Sequence, residues 1–397
     1  MQLAERNRLI APPGTSKMRV IANELKEAGI NVINFAAGEL DVDTSDTVKQ
    51  AAKKAIDSNR NIYTPTLGLT SLRKQIAHLV SEHCGVVYKA DEVGVTAGAK
   101  QALYNAAMVL FNPGDEVIIP QPYWVTFPTQ VEIAGANPVF VDTKPRGYRL
   151  LAEDIEKRIT PRTKAVIINS PNNPTGTVYA AEELQKIAKL ARERDFWIIF
   201  DECYAALVRQ GVSHSNVVRL DSSAKERTVL VNSFSKSHAL TGWRLGYVAA
   251  PAHVIKAMEN LQGHTTSNPN SVSQYAVQGS LEAGEKDFID KVNGLLQERL
   301  ETGLKIIGQM DGIEVAPAEG AFYLFLDISS KIGKQYDGQL ISDVDKLCEL
   351  ALSAANVAVV SGAAFGDPSS IRVSYAIDPE DVVEGLQRLK HFFSAIQ

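Results

Sequence analysis

Cysteine is nearly absent from this 397-residue chain, which holds only Cys84, Cys203 and Cys348. Three widely spaced thiols form neither a disulfide framework nor a metal-ligand cluster, and they suit a reducing compartment. No metal is expected. No apolar run approaches the ~20 residues that a membrane helix requires. The opening stretch MQLAERNRLIAPPG has no apolar segment of the signal-peptide kind. A cytoplasmic protein without a membrane partner is the expectation. Positive charge is not in excess either: the net charge is −5 and the pI about 5.9. Such a chain has no global field for nucleic acid or acidic lipid, so no nucleic-acid partner is expected.

What is present is ordinary for a globular enzyme, 45% hydrophobic and 22% charged with the signs mixed. The length exceeds what one core holds, so two domains are expected. The middle of the chain alternates β-rich runs with helical patterns. EVGVTAG (92–98), EVIIP (116–120), NPVFVDT (137–143), AVIINS (165–170), FWIIFDE (196–202) and TVLVNSF (228–234) are the strand candidates. Several are apolar on consecutive residues, as strands buried on both faces should be. Between two of them Leu184, Ile187, Ala188 and Ala191 form the stripe of an amphipathic helix. This order predicts an α/β fold, a mostly parallel sheet flanked by helices. From about residue 286 a long helical pattern leads to the strand-like GAFYLFLD and SIRVSYA and a closing helix. Residues 46–294 are therefore expected to form a large domain built on that sheet. Residues 1–45 and 295–397 would form a smaller α+β domain with an N-terminal arm.

Ligands of open parallel sheets bind beyond the carboxyl ends of the strands. There the runs end in Thr96-Ala97-Gly98-Ala99-Lys100, Asn169-Ser170, Asp201, and Ser233 followed by Lys236. Asp201 directly follows four apolar residues. It is either a helix cap or structural ion pair, or the partner of a buried cationic ring nitrogen. TAGAKQAL (96–103) reads as a strand–turn–helix junction whose free N–H groups suit a phosphate. It matches neither G-x-x-x-x-G-K-[ST] nor G-x-G-x-x-G, which disfavours an ATP loop and a dinucleotide fingerprint. Lys236 either snorkels to the surface or, near Arg244 and in low dielectric, becomes a nucleophilic amine. An amine, an acid and phosphate donors at one sheet edge are what pyridoxal phosphate needs.

The run Ser233-Phe-Ser-Lys236-x5-Gly242-Trp-Arg244-Leu-Gly246 resembles the cofactor-attachment pattern of the class I, aspartate-aminotransferase-like branch of fold type I. SPNNPTG (170–176), DECY (201–204), YTPTLGLTSLR (63–73), PYW (122–124) and IRVSYA (371–376) occur in that family's order. The resemblance spans essentially the whole chain. It implies a pyridoxal 5′-phosphate-dependent aminotransferase that moves an amino group between an L-amino acid and a 2-oxo acid in ping-pong fashion.

Carried onto this sequence, the resemblance implies the following roles. Lys236 binds the cofactor and moves the substrate proton, Asp201 holds the ring nitrogen protonated, and Tyr204 and Asn173 bond the ring oxygen. Trp124 stacks on the ring, and Gly98, Ala99, Lys100, Ser233 and Arg244 surround the phosphate. Arg372 clamps the substrate α-carboxylate beside Gly38, with Trp124 and Asn173 bordering the substrate. Tyr63 reaches the phosphate of a neighbouring subunit, which implies a homodimer with shared sites. Read singly, Trp124 could be plain core, Tyr204 a satisfied buried hydroxyl and Asn173 a turn residue. His238 and His264 receive no catalytic role.

β- or γ-elimination or replacement on the same fold shares every one of these motifs. A transcription regulator with an aminotransferase-like domain is the remote alternative. It is disfavoured because Gly38 and Tyr63 already belong to the enzyme pattern, leaving no room ahead for a DNA-binding unit. Donor choice is expected, from the resemblance, to lie in Ile10–Lys17, in the helix after Lys100 and across the dimer interface. Ala11, Ala106, Ala107 and Met108 there offer no cation, and Lys17 is the one nearby. A buried carboxylate needs a partner, so neutral or aromatic donors are expected ahead of aspartate, with 2-oxoglutarate as acceptor.

Overall fold

The computed structural model describes residues 2–10 and 14–397. Ala11, on which part of the donor expectation rests, lies outside them, and the Lys17 side chain is likewise not described.

Seven strands form the central sheet: β1 (Val93–Thr96), β2 (Glu116–Gln121), β3 (Asn137–Asp142), β4 (Thr163–Asn169), β5 (Trp197–Asp201), β6 (Thr228–Ser233) and β7 (Gly246–Ala249). Their order is β1-β7-β6-β5-β4-β2-β3, and every pairing is parallel except the two made by β7. The six expected strands are all present. β7 was not foreseen, because GYVA is short, begins with glycine and follows the lysine motif without a break.

The consecutive apolar runs are explained by the two faces they serve. Ile118, Val166, Ile168, Ile198, Phe200 and Leu230 belong to a core on one face of the sheet. Val117, Ile119, Ala165, Ile167, Ile199 and Val229 belong to the core on the other. Each of the larger side chains among them (Val, Ile, Leu, Phe) contributes about 1.5–3 kcal/mol. β3, at the sheet edge, is more exposed.

The helices that matter below are α1 (Gly14–Glu27), α2 (Thr70–Cys84), α3 (Ala99–Leu110), α4 (Ala181–Arg194), α5 (Lys286–Ile307) and α6 (Pro379–Ser394). In α4 the expected stripe of Leu184, Ile187, Ala188 and Ala191 is buried against the sheet. A third core gathers Ile33 and Phe35 with α5, α6 and a small antiparallel sheet. That sheet contains β8 (Glu314–Val315), β9 (Tyr323–Asp327), β10 (Val360–Ser361) and β11 (Ser370–Ser374), in the order β10-β11-β9-β8. Helix α5 runs unbroken through residues 294 and 295, and its Val292 and Leu296 both enter this third core.

Candidate active site

Strand register assembles the site. β4 and β5 pair Asn169 with Asp201, while Thr96 and Ser233 both pair with Gly246 of β7. The polar residues that end four strands thus share one edge. Beyond it lies a cavity of about 570 Å³, lined among others by Lys236, Asp201, Trp124 and Arg372.

One end of the cavity is the start of α3. Its cap residue, Gly98, has φ of 78° and no side chain bonds the exposed helix amides. A Cβ on Gly98 would fall 2.6 Å from Arg244 Nη2, and one on Gly246 would fall 2.7 Å from the Ala99 nitrogen. The cradle therefore requires glycine at both places. Ala99, Lys100, Ser233 and Arg244 line it, so helix amides and a guanidinium face the same space, the donor set of an anion site. Lys100 Nζ lies 5.0 Å from the Trp124 ring centre.

Asp201 is buried, and one of its oxygens accepts from the Cys203 amide at 3.1 Å. Burial pushes its carboxyl up to about 6; the Cys203 bonds and Lys236 act the other way. Lys236 Nζ donates to the Gly38 carbonyl at 2.5 Å. Burial is the main reason its ammonium falls to about 8, with Arg372 and Arg244 adding to the effect. The amine therefore has a substantial neutral fraction near physiological pH, which a nucleophile needs.

The opposite wall comes from the small sheet. Arg372 on β11 is buried; Nη1 donates to Asn173 Oδ1 at 3.0 Å and Nη2 to the Ala36 carbonyl at 3.2 Å. Its Nε is buried without a partner, and no carboxylate is paired with it among the described residues. An unpaired buried guanidinium calls for an anion. Asn173 also reaches Tyr204 Oη at 3.5 Å, and that hydroxyl lies 3.0 Å from Tyr323 Oη.

Every expected site residue except Tyr63 is at this cavity or its rim. Tyr63 is 87% exposed and does not line it. Tyr323 was overlooked: it packs under Arg372, 4.3 Å from guanidinium to ring centre, and holds Tyr204. A buried tyrosine hydroxyl in the run GAFYLFLD needed a partner, and that was the available signal. Ala106 and Ala107 are buried in the sheet-side core rather than facing the cavity, so they carry no argument about the donor. His238 is buried outside the cavity lining, its imidazole pushed down to about 4 by burial.

The residues fit pyridoxal 5′-phosphate. The glycine-dependent cradle suits the phosphate, Asp201 makes no ion pair among the described residues and so suits a protonated ring nitrogen, and Lys236 offers its amine to the same cavity.

The profile of the family described as "Aminotransferase class I and II" matches residues 30–389. The chain is 40% identical over 393 residues to "Aspartate aminotransferase" of Bacillus sp. (strain YM-2), covering 98% of each chain. It is 41% identical, with the same coverage, to "Probable aspartate/prephenate aminotransferase" of Aquifex aeolicus (strain VF5). Among solved structures it resembles aspartate aminotransferase from Thermus thermophilus with maleate, with a TM-score of 0.93 and 35% identity. That match covers 99% of this chain and 100% of the other.

Proposed function

The chain belongs to the class I and II aminotransferase family and is a pyridoxal-phosphate-dependent aminotransferase; from that premise we propose how its residues divide the work. Bound pyridoxal 5′-phosphate supplies an electron sink for the substrate carbon. Lys236 Nζ would hold the cofactor and, once the substrate amine has displaced it, would carry the proton from the substrate Cα to the cofactor's C4′. Asp201 holds the proton on the ring nitrogen. Tyr204 and Asn173 bond the ring oxygen, and Trp124 covers one ring face. Gly98, Ala99, Lys100, Ser233 and Arg244 hold the phosphate, and Arg372 fixes the substrate α-carboxylate beside Gly38. The unpaired, buried Arg372 guanidinium is the observation that carries this reading. Residues 46–294 would be the large unit, and 1–45 with 295–397 the small one. Two of the three cores lie wholly within 46–294, which supports that division, while the third also takes Tyr148, Tyr204, Leu207 and, from the bridging α5, Val292.

We propose aspartate as the donor, with a 2-oxo acid such as 2-oxoglutarate as acceptor, because relatives matching along the whole chain carry that donor in their names. In steady-state assays with 2-oxoglutarate, kcat/KM for aspartate should exceed that for leucine or phenylalanine by at least ~10²-fold. Either neutral donor matching aspartate would overturn this choice and restore the neutral or aromatic one.

A homodimer with shared sites is part of the proposal. Ile62 and Tyr63 stand side by side, 76% and 87% exposed, as residues awaiting a second surface do. Chains carrying Tyr63→Ala and chains carrying Lys236→Ala, each impaired alone, should regain activity when their subunits are exchanged. Each mixed pair would then hold one intact site. Absence of recovery after verified exchange would rule out a Tyr63 contribution across the interface. A cytoplasmic location completes the proposal; all three cysteines are free, and no helix of the described residues is long and apolar enough to cross a membrane.

A further inference from the structure

Strand alternation sends Asp201 to the cavity and the next residue, Glu202, to the opposite face, beside Phe200. There Glu202 is buried and lies 3.1 Å from His83 Nε2 at the end of α2. A second imidazole, His214, stacks on His83 with ring centres 5.8 Å apart and planes 6° from parallel. One ligand atom from each of His83, Glu202 and His214 lies within 4.8 Å of the others. These residues are far apart in sequence, so no spacing motif advertised them.

The protonation of His214 is decided by its neighbour. Its Nε2 bonds the Ser170 carbonyl at 2.9 Å, and a carbonyl only accepts, so the proton sits on Nε2. Nδ1 keeps its lone pair, and it is buried without any hydrogen-bond partner. Glu202 is oriented in turn by Asn216 Nδ2 at 3.1 Å. A ligating histidine anchored to a backbone carbonyl, and a ligating carboxylate anchored by an amide, are the supports that metal ligands commonly have. The His83 side chain is 36% exposed, which leaves an entry path and room for a water.

We propose that His83, Glu202 and His214 bind one divalent ion of the zinc class, with water as the fourth ligand. Binding displaces the proton that His83 otherwise shares with Glu202. The ion would tie the end of α2 to the end of β5, on the side of the sheet away from the reacting groups. Its expected effect is on stability.

The test uses cofactor-saturated enzyme stripped of metal by chelator and dialysed, titrated calorimetrically with zinc chloride. One equivalent should bind per chain and raise Tm. His83→Gln should weaken that binding by at least ~10-fold while leaving transamination near its original value, and it should lower the metal-free Tm because buried Glu202 loses its cationic partner. In the unsubstituted enzyme, Co²⁺ should give the intense difference spectrum of a four-coordinate site, read against the same enzyme without cobalt. No saturable uptake, uptake that His83→Gln leaves unchanged, or a six-coordinate cobalt spectrum would each overturn the proposal. The three residues would then be a buried ion pair beside a neutral imidazole.

Discussion

Lys236→Ala is expected to lower turnover by roughly 10⁴-fold or more, while the protein stays folded and still binds cofactor without a covalent link. The lysine is proposed to do two jobs at one atom: nucleophile toward the cofactor and carrier of the substrate proton. Its amine is suited to both because burial lowers it to about 8. The fold should survive, since Nζ faces the cavity and bonds only the Gly38 carbonyl. Retention of the cofactor should likewise survive, because the cradle of α3 amides, Ser233 and Arg244 does not depend on the lysine. Borohydride reduction followed by peptide mapping checks the covalent link, which should appear on Lys236 in the parent and vanish in the variant. A variant with near-normal turnover would contradict the assignment.

Asp201→Asn should cost about three powers of ten in turnover. Two unit charges about 4 Å apart interact by about 4 kcal/mol at an effective dielectric of 20, and each ~1.4 kcal/mol is tenfold in rate. Asparagine has the same shape, and its amide oxygen can still accept from the Cys203 N–H, so fold and cofactor binding should be kept. Only the negative charge goes, and with it the hold on the ring proton. The raised carboxyl, about 6, sharpens the point. Near neutral pH the buried carboxylate is ionised against the pull of burial, and a cation beside it relieves that penalty. Wild-type turnover in Asp201→Asn would reduce the residue to a structural acid.

Much of this site was legible because its residues break the pattern of the runs they end. Asp201 stands out after Trp197-Ile198-Ile199-Phe200, and Lys236 stands out after a buried strand. The sheet was legible for a related reason: runs without alternation mean two covered faces, and each face has its own core. β7 escaped because a four-residue antiparallel strand gives no crossover signal. Tyr323 escaped because one hydroxyl within an apolar run looks like core until its partners, Tyr204 and Arg372, arrive from distant segments. The His83–Glu202–His214 cluster escaped for the same reason, since only folding brings α2 to the end of β5. The donor reading from Ala106 and Ala107 failed on direction, as one-dimensional sequence does not say which helix face meets the cavity. Tyr63 is the reverse case, conspicuous in the sequence and idle within a single chain.

We propose that Lys236, Asp201 and Arg372 together run an amino-transfer half-reaction. The direct measurement mixes cofactor-loaded enzyme with aspartate and no acceptor, and follows the visible band together with released 2-oxo acid. The unsubstituted enzyme should lose the band once, release one equivalent of 2-oxo acid per chain, free no ammonia, and recover the band on adding 2-oxoglutarate. Asp201→Asn should fail to lose the band on the same timescale. Continuous release of ammonia and oxo acid without any acceptor would contradict transamination and point to an elimination reaction on the same fold.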